Sequence, residues 1–304
     1  MVSTGFQDEQ RLAFGRVAEL YDRARPSYPA GAIDDVLEHG GLGVGARVLE
    51  VGAGTGKLTV LLAARGLRVL ALEPSGAMAA VARANCTDLG GVRIVEAEFE
   101  GWQPSECFPA LVCAAAWHWI DPGQRCRLAY QALAPGATLA ALWTFPDWSR
   151  CALRDALSDA YRAGAPPLAP DFPMHPDSEP ERLVGARPGR VRDGGQWAAE
   201  IAGSAGAFVA PETRLHPCSA TYTADQYIDL LQTHQDHILL GPEQRRRLLD
   251  AVAEAITSRG DSIELPLVTH VCLARRAANP LETSPAPGEL SATLRFWPES
   301  RKGS

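Results

Sequence analysis

The 304-residue sequence predicts an α/β fold with a mostly parallel sheet, and three observations support this prediction. Short apolar runs alternate with helical patterns through the first half of the chain, as in successive βαβ units. At Val48–Lys57 (VLEVGAGTGK), three glycines join an apolar run to a helical pattern. A second apolar run, Arg68–Leu72, ends at Glu73, which lies 21 residues after Gly52. An acid at about this offset binds a ribose in nucleotide-binding α/β folds.

The composition is that of an ordinary globular protein, with 46% hydrophobic and 21% charged residues. A formal net charge of −7 disfavours nucleic acid as a partner. The N-terminus lacks the features of a signal peptide, and no apolar run approaches the roughly 20 residues that span a bilayer. We therefore expect a cytoplasmic protein without a membrane partner, and the oligomeric state stays open. Seven cysteines without a CxxC pair predict reduced thiols and no metal site.

The spacing of the glycines excludes two common nucleotide-binding motifs. A dinucleotide-binding G-x-G-x-x-G motif needs a third glycine where Lys57 stands. A P-loop needs Ser or Thr after the Gly-Lys pair, and the sequence has Leu58 there. The run Glu50–Gly56, E-x-G-x-G-x-G, closely resembles motif I of class I S-adenosylmethionine (SAM)-dependent methyltransferases. Glycines in such a turn allow positive φ and a close approach of the backbone to a ligand.

The resemblance implies SAM as the cofactor and S-adenosylhomocysteine as its product, with Glu73 on the ribose. Pro74–Met78 (PSGAM) resembles motif II of the family, in which Met78 would pack on the adenine. The acidic turn Ala97–Trp102 matches the adenine-side turn of the family. The cofactor residues implied in these three stretches are Glu50, Gly52, Ala53, Gly54, Gly56, Glu73, Pro74, Met78, Glu98 and Phe99.

The segment Tyr21–Pro29 (YDRARPSYP) resembles a YxxxRPxYP segment found in a subset of small-molecule methyltransferases. This subset includes the trans-aconitate methyltransferase-like, or type 11, enzymes. The resemblance implies that Tyr21 and Arg25 reach the methionine carboxylate of SAM and that Tyr28 helps to close the site. Arginine suits this role because it can contact a carboxylate through two parallel hydrogen bonds. A solvated surface turn is the alternative interpretation.

The phrase AAAWHWID, residues 114–121, follows the fourth predicted strand and strengthens the same resemblance. Ligands of α/β sheets bind beyond the carboxyl ends of the strands. His118 has the titration range of a general base, but it is equally consistent with a packing residue that hydrogen-bonds a carbonyl. The implied cofactor contacts here are Ala114, Ala115 and Trp117, and the implied substrate contacts are Trp117, His118 and Trp119.

The elements follow in order along the chain. Strands are predicted at 46–51, 68–73, 92–96, 110–116, 138–144, 213–221 and 262–275. Helices are predicted at 6–20, 31–39, 57–65, 75–85, 121–133, 150–163, 197–208, 224–239 and 243–259. Prolines end the first helix, Gly66 ends the third, and Thr223 is a cap-like start for the eighth. The resemblance implies a Rossmann-like class I methyltransferase fold, with a seven-stranded sheet, an antiparallel last strand, helices on both faces and a helical or irregular cap.

Five segments are expected. They are an N-terminal helical lid segment (1–34), a SAM-binding core (35–145), a cap or substrate insertion (146–200), the rest of the core with two added helices (201–276) and a tail (277–304). The insertion is dense in Pro, Gly and Arg, and it falls where methyltransferases insert substrate-recognition elements. Its candidate substrate contacts are Tyr161 and Phe172, and its candidate base is His175. His234 and His237 share a predicted helix face but lack a third ligand at matching spacing, so no metal is predicted.

The sequence therefore predicts an enzyme that transfers a methyl group from SAM to an O, N or C atom of a small molecule. In this in-line displacement the charge on sulfur disappears, so the protein mainly aligns the reactants and excludes water. His118 or His175 would assist deprotonation of the acceptor, whereas a carboxylate acceptor would need no base. Two alternatives stay open: a SAM-binding enzyme that catalyses an elimination or cyclisation, and a non-catalytic SAM-binding regulatory module.

Overall fold

A seven-stranded sheet organises the structure, a computed structural model that describes residues 17–166, 168 and 195–278. Its strands are β1 (Arg47–Val51), β2 (Arg68–Leu72), β3 (Val92–Val95), β4 (Phe108–Ala114), β5 (Leu133–Pro146), β6 (Phe208–Thr223) and β7 (Ser262–Arg276). The strand order is β3-β2-β1-β4-β5-β7-β6, and β7 is antiparallel to both of its neighbours. The predicted fold class is therefore confirmed, including the antiparallel last strand.

The helices cover both faces of this sheet and one end of it. They are α1 (Ala18–Ala24), α2 (Ala30–Gly40), α3 (Lys57–Ala64), α4 (Gly76–Asn85), α5 (Arg125–Ala132), α6 (Arg154–Gly164), α7 (Gly195–Ala202), α8 (Ala224–Leu231), α9 (Gln235–Ile238) and α10 (Pro242–Thr257). Short 3₁₀ turns lie at Trp117–Trp119 and Trp148–Arg150. Within the described ranges, no helix combines the length and the apolar character that crossing a bilayer requires.

Two of the differences between the predicted and the observed helices have local causes. The prediction of one helix over 224–239 was wrong, because the helix stops after Leu231 and a short one restarts at Gln235. At this break the Thr233 hydroxyl donates to the Leu230 carbonyl (2.6 Å), a local bond that competes with a continuing helix. The helix predicted from 121 begins only at Arg125, because Asp121 accepts hydrogen bonds from Gly123 N and Gln124 Nε2 in a turn.

The central strands are buried on both faces, which explains their continuous apolar runs. Val48 of β1 packs with α2 and α3 on one face, while its neighbour Leu49 packs on the opposite face. That opposite face is covered by α5 and α7. The carboxyl ends of β1, β2 and β4 consequently lie at one edge of the sheet, between two helical layers.

The last two strands extend beyond this carboxyl edge. β5 pairs with β7 only as far as Pro146 opposite Leu267, whereas β6 continues to pair with β7 down to Thr223 opposite Ser262. Helices α6, α8 and α10 pack on this projecting ribbon and form a second hydrophobic core, which we call the cap. The cap core includes Trp148, Leu157, Tyr161, Tyr227, Leu231, Leu248, Val252, Ile256, Ile263 and Leu265.

Candidate functional site

The glycine turn between β1 and α3 is fixed to the end of β2. The backbone N–H groups of Gly52 and Ala53 both donate to the Leu72 carbonyl, at 2.9 and 3.0 Å. Gly52 has φ +72°, and a Cβ placed on it would lie 2.3 Å from the Cβ of Ala116. Only glycine fits there, because this turn packs directly against the turn that follows β4.

Gly54 lies at the open side of the same turn. Its φ is +58°, and a Cβ added to it would meet no atom within 4 Å. Its N–H donates to Glu73 Oε2 at 2.7 Å. The space above Gly54, which we call the cradle, is therefore open and lies next to a carboxylate.

Glu73 is held in one orientation by the backbone. Its Oε2 accepts from Gly54 N and its Oε1 accepts from Ser75 N at 2.9 Å. The side chain is buried, with 7% of the residue exposed. An ionised carboxylate has about four acceptor positions, so two backbone donors orient it while it keeps the capacity to accept from hydroxyl groups.

The residues predicted on the adenine side follow the neighbouring ends of β2 and β3. The end of β2 is tied to the end of β3, because Glu73 N donates to Val95 O at 3.0 Å. Met78 of α4 and Phe99 of the turn after β3 are both nearly buried, whereas Pro74 and Glu98 are exposed. The segments after β2 and after β3 thus start side by side at the carboxyl edge, where α/β folds build their sites.

Glu50, the first residue of the glycine motif, lies behind the turn and not in the cradle. It is 1% exposed and accepts a hydrogen bond from Thr59 Oγ1 at 2.6 Å. Burial raises the pKa of Glu50 to about 8, and the nearby charge of Glu73 contributes in the same direction. At neutral pH its carboxyl group is therefore largely protonated.

The turn after β4 is positioned by Arg125, a residue that sequence reasoning missed. Its Nη1 donates to the Trp117 carbonyl at 2.7 Å, and its Nε donates to Glu200 Oε1 at 2.6 Å. Nη2 of the same guanidinium also pairs with Glu200 Oε2. This buried ion pair joins α5, α7 and the 3₁₀ turn. No sequence signal marks it, since its two members lie 75 positions apart.

Trp117 supports the turn and does not line an open pocket. Its exposed fraction is zero, and the guanidinium of Arg125 lies 5.6 Å from its ring centroid. Protein atoms surround this ring, and its contact with the cofactor and the substrate stays a prediction. Ala115, two residues earlier, adopts φ +53° and donates its N–H to Leu142 O at 2.8 Å.

His118 belongs to a partly exposed group of rings at this edge, which we call the aromatic cluster. Its ring centroid lies 4.3 Å from that of Trp143 and 4.5 Å from that of Trp119. Burial lowers the pKa of His118 to about 4, and the charge of Arg125 adds to this effect. Its Nδ1 is buried and has no hydrogen-bond partner among the described residues. The cluster comprises His118, Trp119, Trp143, Phe145, Trp197 and His270.

Residues 48–136 match a family profile described as "Methyltransferase domain". This range contains the glycine turn, Glu73 and the turn after β4. This part of the chain is therefore similar to the class I methyltransferases. Members of this family take the methyl group from SAM.

Known methyltransferases resemble part of this chain. An uncharacterised methyltransferase of Mycobacterium tuberculosis is 37% identical over 139 residues, which cover 46% of this chain and 55% of the relative. A protein-L-isoaspartate O-methyltransferase of Methylorubrum populi is 39% identical over 87 residues, 28% of this chain and 41% of that protein. The matches thus span about half the length of these relatives. A candidate type II methyltransferase from Anaeromyxobacter dehalogenans shares the fold, with a TM-score of 0.50 and 20% identity over 84% of this chain and 99% of that one.

The N-terminal segment of this chain connects the glycine turn to the cap. Asp22 of α1 pairs with Lys57, the first residue of α3, at 3.8 Å. Arg25 donates from Nε to Thr233 Oγ1 (2.8 Å) and from Nη2 to Thr233 O (3.1 Å), and it lies 5.1 Å from the ring centroid of Tyr21. Contact of Tyr21 and Arg25 with a methionine carboxylate stays a prediction.

Tyr28 packs against the sheet core on the face of α2 and α3. Burial raises the pKa of Tyr28 well above its usual range, and the charges of Tyr21 and Glu50 act in the same direction. The phenol is therefore neutral, and its predicted role in closing the site depends on shape and hydrogen bonding.

Of the three site residues predicted in the cap insertion, the structure describes Tyr161. Tyr161 is fully buried, and its hydroxyl lies 2.6 Å from Nε2 of His237. Its side chain has no exposed surface, and its contact with the substrate stays a prediction. Phe172 and His175 lie outside the described residues.

We predict that Arg125→Ala lowers the free energy of unfolding by about 3 kcal/mol, because it leaves the Glu200 carboxylate without its guanidinium partner and frees the Trp117 carbonyl. Denaturant unfolding monitored by circular dichroism measures this change. Arg127→Ala is the matched control, since Arg127 is exposed on the same helix and bonds only to glutamines. Equal losses in the two variants would contradict the role assigned to Arg125.

We predict that Glu50→Gln stabilises the protein increasingly as the pH rises from 4.5 to 8. The raised pKa of Glu50 means that the unfolded chain ionises first, so the wild type loses stability over this interval. The expected difference at pH 8 is up to about 4 kcal/mol, from about 1.4 kcal/mol per pKa unit. Unfolding curves of both proteins at several pH values test this, and a difference that is constant with pH contradicts a buried protonated Glu50.

Proposed function

We propose that this protein transfers a methyl group from SAM to a small-molecule acceptor at the carboxyl edge of its sheet. The observation that carries the proposal is the pairing of an open cradle above Gly54 with the fixed carboxylate of Glu73. A dipolar turn beside an oriented acid suits a nucleoside with ribose hydroxyls. The similarity of residues 48–136 to the methyltransferase domain supports SAM as the donor, since class I methyltransferases use SAM.

The residues around the cradle fit the parts of this cofactor. Glu73 would accept hydrogen bonds from the ribose, and the backbone of the 52–56 turn would hold the amino-acid half. Met78 and Phe99 would pack on the adenine, and Arg25 would reach the carboxylate. When bound, SAM supplies an electrophilic methyl group on a sulfonium. The protein then has to align the acceptor and exclude water, which the cap and the N-terminal segment support.

The aromatic cluster supports an uncharged, planar or apolar acceptor. It lies at the carboxyl ends of β4 and β5, and Phe145 is 46% exposed. Burial lowers the pKa of both His118 and His270, so neither imidazole carries a charge at neutral pH. Flat apolar and aromatic walls with few polar groups are typical of small-molecule sites. The segments 1–34 and 146–200 are accordingly proposed as the lid and the cap insertion of this site.

Gly54→Ala provides a direct test of the cradle. A Cβ at Gly54 meets no protein atom, so we expect the fold to persist while SAM affinity falls by 100-fold or more, an estimate of order 3 kcal/mol. Isothermal titration calorimetry with SAM measures the affinity, and thermal unfolding measures the stability. The loss is expected because the new methyl group occupies the space assigned to the cofactor.

Gly41→Ala is the matched control for this experiment. Gly41 has φ +59°, close to that of Gly54, and a Cβ there also meets nothing within 4 Å. Its backbone strain is therefore equivalent, but it lies at the end of α2, away from the cradle. Both variants should lose similar stability, about 1 kcal/mol. Unchanged SAM affinity in Gly54→Ala, or equal losses of affinity in both variants, would overturn the proposed site.

We predict that His118→Phe lowers kcat by about 10²-fold with an acceptor that must lose a proton, such as a phenol or an amine. His118 is already neutral above pH 6, so it should add no inflection to the wild-type kcat/KM profile between pH 6 and 9. Release of S-adenosylhomocysteine with a panel of uncharged aromatic acceptors measures both quantities. Full activity of His118→Phe would remove its role as a base, and a rearranged product without S-adenosylhomocysteine would favour the non-methylating alternative.

A further inference from the structure

The cap contains a group of donor atoms outside the methyl-transfer site. His234 lies in the break between α8 and α9, and Asp236 and His237 lie in α9. One ligand atom from each of the three side chains can be chosen so that all lie within 4.8 Å of one another. Two imidazoles and a carboxylate at this separation are a ligand set for a metal ion.

The interrupted helix explains why the sequence did not predict this set. A continuous helix would place positions 234 and 237 on one face and position 236 on another. The chain instead turns at Thr233 and restarts at Gln235. This break brings the Asp236 carboxylate beside both histidines, so it supplies the third ligand that the predicted helix lacked.

His237 already has the support that metal-binding imidazoles require. Its Nε2 lies 2.6 Å from the Tyr161 hydroxyl, and its Nδ1 lies 2.7 Å from Asp236 Oδ1. A bound ion would take the Nδ1 lone pair, with the imidazole proton then on Nε2 and directed to the Tyr161 oxygen. A fixed partner on the second nitrogen is the usual way in which proteins orient a ligating imidazole.

The charges around the three residues leave the carboxylate available to a cation. Asp236 is exposed, and the described residues provide no Lys or Arg ion pair for it. Arg25 is the nearby cation, and it bonds to Thr233, the residue before His234. Its charge opposes cation binding, so the negative charge of Asp236 is essential for the site.

A second histidine–aspartate pair in the same protein lacks a carboxylate that is available to a metal ion. His216 Nε2 lies 2.6 Å from Asp35 Oδ2, but Arg214 pairs with the other oxygen of Asp35 at 2.7 Å. That carboxylate is already neutralised by a cation, and no second imidazole adjoins it among the residues described. His216 therefore provides an internal control.

We propose that His234, Asp236 and His237 bind a divalent transition-metal ion of the Zn²⁺ type, with His237 coordinating through Nδ1. Three protein ligands leave a fourth position for water, and the exposed side of Asp236 gives the ion a path from solvent. The ion would join α9 to α6 through Tyr161. This site is independent of the SAM cradle, so its test does not depend on methyl transfer.

The experiment is calorimetric titration of the untagged, chelator-stripped full-length protein with ZnCl₂, together with the visible absorption of Co²⁺. We expect one equivalent of Zn²⁺ to bind with Kd near or below 1 μM, about −8 kcal/mol, and Co²⁺ to give a tetrahedral-type spectrum. Mg²⁺ should not bind, because the site has only one oxygen ligand. Absence of stoichiometric Zn²⁺ binding, or a preference for Mg²⁺, would overturn the proposal.

Variants then assign the ligands. Asp236→Asn keeps the side-chain shape and should weaken Zn²⁺ binding by at least 100-fold, and His234→Gln should abolish the Co²⁺ spectrum. Tyr161→Phe should weaken binding by about 10- to 100-fold, as loss of a supporting partner does. His216→Gln should bind as the wild type does. Thermal unfolding without metal identifies a variant that fails to fold, and if Asp236→Asn binds Zn²⁺ like the wild type, the site is wrong.

Discussion

The structure of the site depends on one carboxylate held by two backbone N–H groups. Glu73 follows β2, and it accepts from Gly54 in the turn after β1 and from Ser75 at the start of α4. Charge-assisted bonds of this kind are about twice as strong as neutral ones. They fix the positive-φ turn and the acid relative to each other, so that two adjacent strand ends act as one rigid unit.

Around this unit, long-range contacts position the parts that would meet the acceptor. The Arg125–Glu200 ion pair holds the turn that carries His118, and Gly52 lets this turn pack against the glycine turn. Arg25 reaches from the N-terminal segment to Thr233 in the cap. Each contact connects elements that are distant in sequence. The fold therefore places the proposed SAM cradle and the aromatic cluster at the same edge of the sheet.

The sequence predicted the features that depend on short-range spacing. The alternation of strands and helices predicted a mostly parallel sheet, and the resemblance carried by the glycine motif implied the observed seven strands. Features created by tertiary contact were not predictable in this way. The sequence suggested that Trp117 lines a pocket, whereas in the fold its side chain is fully buried with Arg125 against the ring. The break at Thr233 involves a local hydrogen bond from its hydroxyl to the Leu230 carbonyl, which overrides a strong helical pattern. Because the sequence did not predict this break, it did not predict that Asp236 lies beside two histidines.

The most direct measurement is a crystal structure with S-adenosylhomocysteine. Our account predicts both ribose hydroxyls within about 3 Å of the Glu73 carboxylate, with the amino-acid half along the 52–56 turn and the sulfur facing the aromatic cluster. Density for the nucleoside at another place, or a glycine turn that stays covered by protein atoms at saturating ligand, would contradict it.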